Sequence, residues 1–286
     1  MRCLFCKEES SSAKSVEHIV PESLGNKSFV LSRGYICDKC NNYFARQVEK
    51  PFLEHINMRL LRFYEAIPNK KNKIPTINGI IDSIPVILHK DFIDGEIVTG
   101  IDIPPDVFDD IVKKGDLSMI IPALLEDCLP ASNSITSRFI AKIALEALAD
   151  RLKGVENSLD DLIDDRSFDA IRNHARLGAP REWPCSIRRI YATNAQWKTA
   201  DNETSQIIHE CDFLLPNICE YKPKGDIIES ELYFIVALWG IEFAINMGGP
   251  EIDGYNDWLR RHNNASPLYY GKNQPSEEYG SRNYIH

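Results

Sequence analysis

The chain lacks the features that mark membrane-spanning and nucleotide-hydrolysing proteins. No apolar run approaches the roughly 20 residues that a membrane-spanning helix needs, so no membrane partner is expected. There is no internal repeat and no glycine-rich phosphate loop, so an energy-dependent partner would have to be a separate chain. The start of the chain shows no apolar leader, and we therefore expect a cytoplasmic protein.

Composition and charge indicate an ordinary globular protein with an uneven charge distribution. The 286 residues are 43% hydrophobic and 26% charged, enough for one large or two medium domains. The net charge is −9, but residues 1–73 hold 13 Lys and Arg against 8 Asp and Glu. This basic part is suited to phosphate binding, whereas the acidic remainder argues against a long nucleic-acid track. The remainder is expected to restrain the basic part or to face a separate regulatory protein.

Cysteine spacing gives the strongest motif. Four of the eight cysteines form two Cys-x-x-Cys pairs, Cys3 with Cys6 and Cys37 with Cys40. In a chain without a secretory signal, this pattern predicts four thiolates around one structural zinc ion. The other cysteines, together with His209, match no metal-ligand spacing, and we expect ordinary buried thiols at Cys185, Cys211 and Cys219.

The gap between the two pairs contains an acid next to a histidine, Glu17-His18, and Asn41 follows the last zinc ligand. Zinc binding would bring the intervening loop back over the segment after Cys40, so that Glu17, His18 and Asn41 converge. A carboxylate and an amide oxygen suit a Mg-type cation with open positions for water and phosphate. Histidine can take a proton from water near neutral pH.

Positive groups near this motif are expected to hold phosphates. Arg33, Lys39 and Arg46 lie close to it in sequence. A helix beginning near Asn41 would add its positive N-terminal end, although Asn41 could instead be only the cap of that helix.

The order of these motifs resembles a known family. Cys-x-x-Cys, Glu-His-Ile-x-Pro and Arg-Gly-x-x-Cys-x-x-Cys-Asn together are similar to the HNH (ββα-metal) endonucleases, in the zinc-stapled branch that includes phage endonuclease VII. The resemblance covers roughly residues 1–60. It implies that the four cysteines hold zinc, that Glu17 and Asn41 hold a catalytic Mg or Mn ion, and that His18 is the general base. It also implies DNA as substrate, with RNA not excluded, and a role in a mobile element or antiphage defence.

Two parts of the family pattern are missing from this sequence. Many HNH proteins have a further Asn shortly before the third cysteine and a second His or Lys on the following helix. Here these neighbourhoods read Leu31-Ser32-Arg33 and Tyr43-Phe44-Ala45. The nearest polar substitutes are Asn42, Arg46 and Glu49, and the choice among them is open.

The rest of the chain predicts an α+β protein with a small nuclease domain at residues 1–68 and a larger mixed α+β domain at 74–286. We expect helices at 51–64, 104–114, 134–154, 167–177 and 254–261, a linker at 69–73, and β-rich stretches at 74–103 and 183–245. The apolar spacing of the first helix includes Ile56, Ser134 is the expected cap of the third, and Gly178 is expected to end the fourth. Several later strands are apolar on both alternations, as expected of strands covered on two faces.

Two alternatives remain open at the level of the sequence. The cysteines could belong to a noncatalytic zinc module that binds nucleic acid or a protein. One HNH site cuts one strand per event, so a double-strand break would need two sites, most simply in a homodimer.

Overall fold

A computed structural model describes residues 1–125, 127–198, 204–216 and 231–270 of the chain. It confirms the expected α+β class, with antiparallel sheets and helices that alternate along the chain. No helix of the described residues is long and apolar enough to cross a membrane.

The N-terminal segment has the ββα order that the resemblance implies. Strand β1 (Glu17–His18) pairs antiparallel with β2 (Val30–Leu31), and helix α1 (Asp38–Phe44) follows. A wider π-type turn (Ala45–Glu49) continues α1 directly into α2 (Lys50–Glu54).

The single helix predicted over 51–64 is wrong in one respect, because it is broken at His55. This residue has extended backbone angles, φ −56° and ψ 138°, and a separate helix α3 (Ile56–Tyr64) starts after it. The break turns Ile56 outwards, where it is 55% exposed, although its spacing had placed it on the apolar face.

The middle of the chain forms a four-stranded antiparallel sheet. Residues 69–73, the predicted linker, contain neither helix nor strand. The sheet has the order β5-β4-β3-β6, and helix α4 covers its inner face together with α3. The bounds are β3 (Ile77–Ile81), β4 (Ile84–Ile93), β5 (Glu96–Asp102), α4 (Pro105–Lys114) and β6 (Met119–Ile120).

The central helix α5 (Ser134–Arg151) is the longest described element. Its N-cap is Asn133, whose side chain accepts hydrogen bonds from the amides of Ile135 and Thr136, so the predicted cap at Ser134 is off by one residue. Helices α6 (Ser158–Asp164) and α7 (Asp169–Leu177) follow, and Gly178 ends α7 with φ +71°, as predicted.

The C-terminal sheet has the order β10-β11-β12-β7, with all neighbours antiparallel. Every residue of β11 and β12 is buried, which confirms that these strands are covered on both faces. The remaining bounds are β7 (Ser186–Arg189), β8 (Gln196–Lys198), β9 (Thr204–Gln206), β10 (His209–Leu214), β11 (Tyr233–Leu238), β12 (Ile241–Asn246) and α8 (Asp253–Arg261).

One apolar core joins the N-terminal segment, α5 and one face of the C-terminal sheet. Phe52 of α2 stacks on Phe139 of α5 with ring centroids 4.0 Å apart, and it meets Phe243 of β12 edge-on at 6.2 Å. The same cluster contains other residues of the N-terminal segment, such as Cys3 and Phe44. Residues 1–68 therefore share their core with residues of the C-terminal half, and the domain boundary at 68–74 stays a prediction.

Polar contacts reinforce this joint. Arg2 forms a pair of ionic contacts with Asp160 and Asp164 of α6. Deeper in the protein, the Trp239 indole donates to the backbone carbonyl of Leu24 at 2.9 Å, and the buried Arg172 guanidinium donates to that of Leu4 at 2.8 Å. Carbonyl groups of the N-terminal segment thus depend on side chains from the distant half of the chain.

Removing the ring at the centre of the joint should destabilise the whole protein. We expect Phe52→Ala to lower the free energy of unfolding by about 3–5 kcal/mol, because it leaves a cavity between Phe139 and Phe243. Urea unfolding measures this loss. Phe92→Ala is the matched control, since Phe92 is 53% exposed on β4 and its loss should have little effect. Equal losses from the two variants would contradict the shared core.

Candidate functional site

The four cysteine sulfurs lie together as the spacing predicted. The Sγ atoms of Cys3, Cys6, Cys37 and Cys40 are all within 4.8 Å of one another, and Cys6 and Cys37 are 3.7 Å apart. Zinc–sulfur bonds of about 2.3 Å in a tetrahedron place sulfurs roughly 3.8 Å apart. These cysteines therefore fit one structural zinc ion. Within the described residues no other cluster of three or more His, Cys, Asp or Glu ligand atoms is as compact.

Backbone contacts hold the two Cys-x-x-Cys segments next to each other. The amide of Leu4 donates to the carbonyl of Tyr35 at 2.9 Å, and the amide of Cys37 donates to the Cys3 sulfur at 3.3 Å. A hydrogen bond from the Cys40 thiol lowers the pKa of Cys3 to about 4, whereas burial raises the pKa of Cys6 to about 11. Such crowded thiols share protons, which a zinc ion would displace.

Helix α1 starts earlier than expected. Its first residue is Asp38 and its N-cap is Cys37, so the predicted start near Asn41 is wrong, and Asn41 is not the cap. The Cys37 sulfur accepts from the amide of Cys40 at 3.4 Å, so the helix cap is itself one of the four clustered cysteines. Asn41 lies inside the helix, directly after the last of these cysteines, and the positive helix end lies at Asp38.

The carboxylate of Glu17 points into the protein. It is 5% exposed, and its Oε1 lies 2.5 Å from the ammonium nitrogen of Lys142 on α5. The same ammonium lies 2.8 Å from Glu49 and 3.0 Å from Glu146. Burial raises the pKa of Glu17. Burial alone would lower the pKa of Lys142, but the carboxylates of Glu146, Glu17 and Glu49 raise it well above its ordinary value.

His18 has the properties of a neutral base. Its ring is partly exposed, and its Nδ1 is enclosed without a hydrogen-bond partner among the described residues. Burial lowers the pKa of His18, so the imidazole is neutral at neutral pH. Lys70, in the segment predicted as a linker, acts electrostatically on both His18 and Glu17, which brings a further positive charge to the site.

The three predicted catalytic residues differ in their surroundings. Asn41 is partly exposed, and its side chain forms no hydrogen bond within the described part of the chain. Likewise, no hydrogen bond found there links Glu17, His18 and Asn41 side chains directly. Their convergence on one cation stays a prediction. A carboxylate and an amide oxygen are ligands that suit Mg or Mn, and the unpartnered imidazole nitrogen of His18 is left to accept a proton.

The three residues considered as substitutes for the missing family positions, Asn42, Arg46 and Glu49, also differ in their exposure to solvent. Glu49 faces Lys142, whereas Asn42 and Arg46 are exposed. The predicted phosphate-binding residues Arg33, Lys39 and Arg46 are all exposed, and none forms an ion pair with a described residue. Their positive charges are therefore accessible to a polyanion.

Two residues of the candidate site, Asn26 and Lys142, were not identified from the sequence. Asn26 is buried, donates to the carbonyls of Val20 and Phe29 at 2.6 and 2.8 Å, and accepts from the amide of Phe29 at 2.9 Å, so it fixes the loop between β1 and β2. The Gly25-Asn26 pair signals a turn, but no spacing rule assigns the three contacts. Lys142 is the second such residue. The one sequence feature that could have indicated it is a charged residue within an apolar helical stretch.

Comparison with known proteins identifies the same segment. Residues 3–57 match the model of a family described as HNH endonuclease. No curated protein and no solved structure matches the chain. The N-terminal segment is thus an HNH endonuclease domain with a four-cysteine cluster, followed by a larger α+β region. The match does not address the branch that includes phage endonuclease VII, which stays a prediction.

Loss of one frame cysteine should remove the zinc. We expect the wild-type protein to carry one zinc ion per chain, measured by atomic emission, and Cys40→Ser to carry none and to unfold at lower urea concentration. Cys128→Ser is the control, because Cys128 is exposed and lies outside the cluster. Retention of zinc by the Cys40 variant would refute the assignment of the four ligands.

Proposed function

We propose that this protein is a metal-dependent endonuclease that hydrolyses phosphodiester bonds in DNA. The proposal is supported by the HNH family match at residues 3–57, a segment that contains the four-cysteine cluster, the Glu17-His18 strand and the helix with Asn41. RNA is a second substrate class to be tested, since nothing in the site is known to read the sugar 2′-hydroxyl.

Each residue has a role that follows from its chemistry. The neutral imidazole of His18 takes a proton from the attacking water. Glu17 and Asn41 would hold the catalytic cation, Mg or Mn, and that ion, when bound, neutralises the phosphoryl oxygens and assists the leaving oxygen. Zinc at the cysteine frame is structural and takes no part in the reaction.

The exposed cations bind the substrate in this proposal. Arg33, Lys39 and Arg46 contact phosphates on either side of the scissile bond, which sets the position of the duplex without reading its sequence. The C-terminal half, residues 74–286 in the proposed division, positions, regulates or pairs the nuclease. Two copies in a homodimer would supply the two cuts of a double-strand break.

The setting that the resemblance implies, a mobile element or antiphage defence in the cytoplasm, belongs to the same proposal. The competing function is a noncatalytic zinc module that binds nucleic acid or a protein. It is favoured by the contact between Glu17 and Lys142, which gives the predicted metal ligand a partner within the protein. An assay of cleavage separates the two functions.

Replacing the proposed base should abolish cleavage and leave binding intact. We expect His18→Ala to slow nicking of supercoiled plasmid, with Mg or Mn present, by roughly 10²–10⁴-fold, the usual contribution of a general base. Zinc content and DNA affinity should persist. His89→Ala, on β4, is the control for loss of a partly exposed histidine. A zinc-loaded wild-type protein that cleaves neither DNA nor RNA with either metal would establish the noncatalytic function.

The phosphate contacts predict a change in salt dependence. Each neutralised phosphate contributes about 0.9 to the slope of log affinity against log salt concentration. Arg33→Ala should therefore reduce this slope by about one and weaken DNA binding equally on unrelated sequences. Lys113→Ala, an exposed lysine of α4, is the control. Fluorescence anisotropy at several salt concentrations measures both, and an unchanged slope for the Arg33 variant would exclude it from the DNA interface.

A further inference from the structure

Lys142 belongs to α5, far from the HNH domain in sequence, yet its ammonium touches the strand that carries the proposed chemistry. It lies 2.5 Å from Glu17 Oε1 and donates to the backbone carbonyl of His18 at 3.2 Å. Both residues of β1 are therefore held by one side chain. The lysine is completely buried, so this contact is shielded from solvent.

The ammonium has four acceptors around it. Besides Glu17 and the His18 carbonyl, these are Glu49 of the turn between α1 and α2, at 2.8 Å, and Glu146 of α5, at 3.0 Å. One positive charge thus connects β1, the helical segment after the zinc frame and the central helix. An ammonium has only three donors, so these acceptors compete for its hydrogen bonds.

Stability alone does not require this arrangement. Buried ion pairs are often replaced by well-packed apolar residues without loss of stability, because desolvation offsets much of the Coulomb attraction. Its neighbours along α5 are buried as well, among them the apolar residues Phe139, Ala141 and Ile143. What an apolar side chain at 142 could not do is fix the rotamer of Glu17.

The direction of the contact matters for the proposed metal. The shortest contact of the ammonium is with Oε1 of Glu17, and a carboxylate has a second oxygen with which it can bind a cation. A carboxylate held in this way does not have to be ordered when the cation binds. Groups that orient a metal ligand typically change metal affinity or activity by 10–100-fold when they are removed.

We propose that Lys142 is a positioning residue of the nuclease site, supplied by the C-terminal half, which orients Glu17 for a divalent cation and fixes the strand that carries His18. This inference rests on the proposed function. It makes the C-terminal half part of the site, in addition to any regulatory or oligomeric role.

The test uses the full-length, zinc-loaded protein and two readouts, the affinity for Mn²⁺ by calorimetry and the rate of plasmid nicking. The main variant is Lys142→Met with Glu146→Gln. The second change removes the carboxylate that would otherwise be left without its partner on the same helix, so that folding is preserved while the contact with Glu17 is lost. We expect Mn²⁺ affinity and nicking at limiting Mn²⁺ each to fall by roughly 10–100-fold, with normal zinc content.

Lys153→Met is the matched control. Lys153 also donates to a backbone carbonyl of the N-terminal segment, that of Val30 at 3.1 Å, but it does not contact Glu17. It should therefore bind Mn²⁺ as the wild type does. Should the double variant lose its zinc, Lys142→Gln, which keeps a donor and much of the volume without the charge, is judged by the same readouts.

The outcomes separate this inference from the function on which it rests. Wild-type Mn²⁺ affinity in a folded Lys142 variant would overturn the inference, whether or not the protein cleaves DNA. A wild type that binds Mn²⁺ but cleaves no nucleic acid would overturn the proposed function, and the Mn²⁺ affinities would still decide the role of Lys142. A wild type that binds only zinc would overturn both.

Discussion

The burial of α5 on nearly all its sides constrains the fold, because the N-terminal segment and the C-terminal sheet both pack on this helix. Twelve of its eighteen residues are buried, more than the one apolar face of a surface helix, because the HNH domain packs on one side and the C-terminal sheet on another. The stack of Phe52 on Phe139 and the contacts of Lys142 both occur at this joint. The small ββα unit shares one core with this helix.

This constraint also determines the electrostatics of the candidate site. A carboxylate such as Glu17, enclosed against a helix, is costly to ionise unless a positive charge accompanies it. The ammonium of Lys142 provides that charge, and the exposed cations Arg33 and Lys39 lie on the surface. In the proposed site, Lys142 would orient Glu17 on the buried side, and the exposed cations would attract phosphate. The excess of positive charge in residues 1–73, within a chain of net charge −9, would serve the same purpose.

The sequence predicted what depends on local spacing. The two Cys-x-x-Cys pairs specify the zinc frame, and apolar runs without alternation specify the doubly covered strands β11 and β12. It could not predict contacts between distant segments, so the pairing of Lys142 with Glu17 and the joint core were missed. Two local details were also predicted wrongly. The cap of α1 is one of the four clustered cysteines, Cys37, and the helix predicted over 51–64 breaks at His55, where no Pro or Gly marks the change.

We infer that one unit holds two different metal ions, a structural zinc at four sulfurs and a hard cation at Glu17 and Asn41 beside His18. Anomalous diffraction from crystals soaked in Mn²⁺, with data at the zinc and manganese edges, tests this inference. We expect zinc at the cysteine cluster and manganese coordinated directly by oxygens of Glu17 and Asn41, within reach of a His18-bound water. Manganese bound elsewhere, or a Glu17 carboxylate that contacts only Lys142 at saturating Mn²⁺, would contradict it.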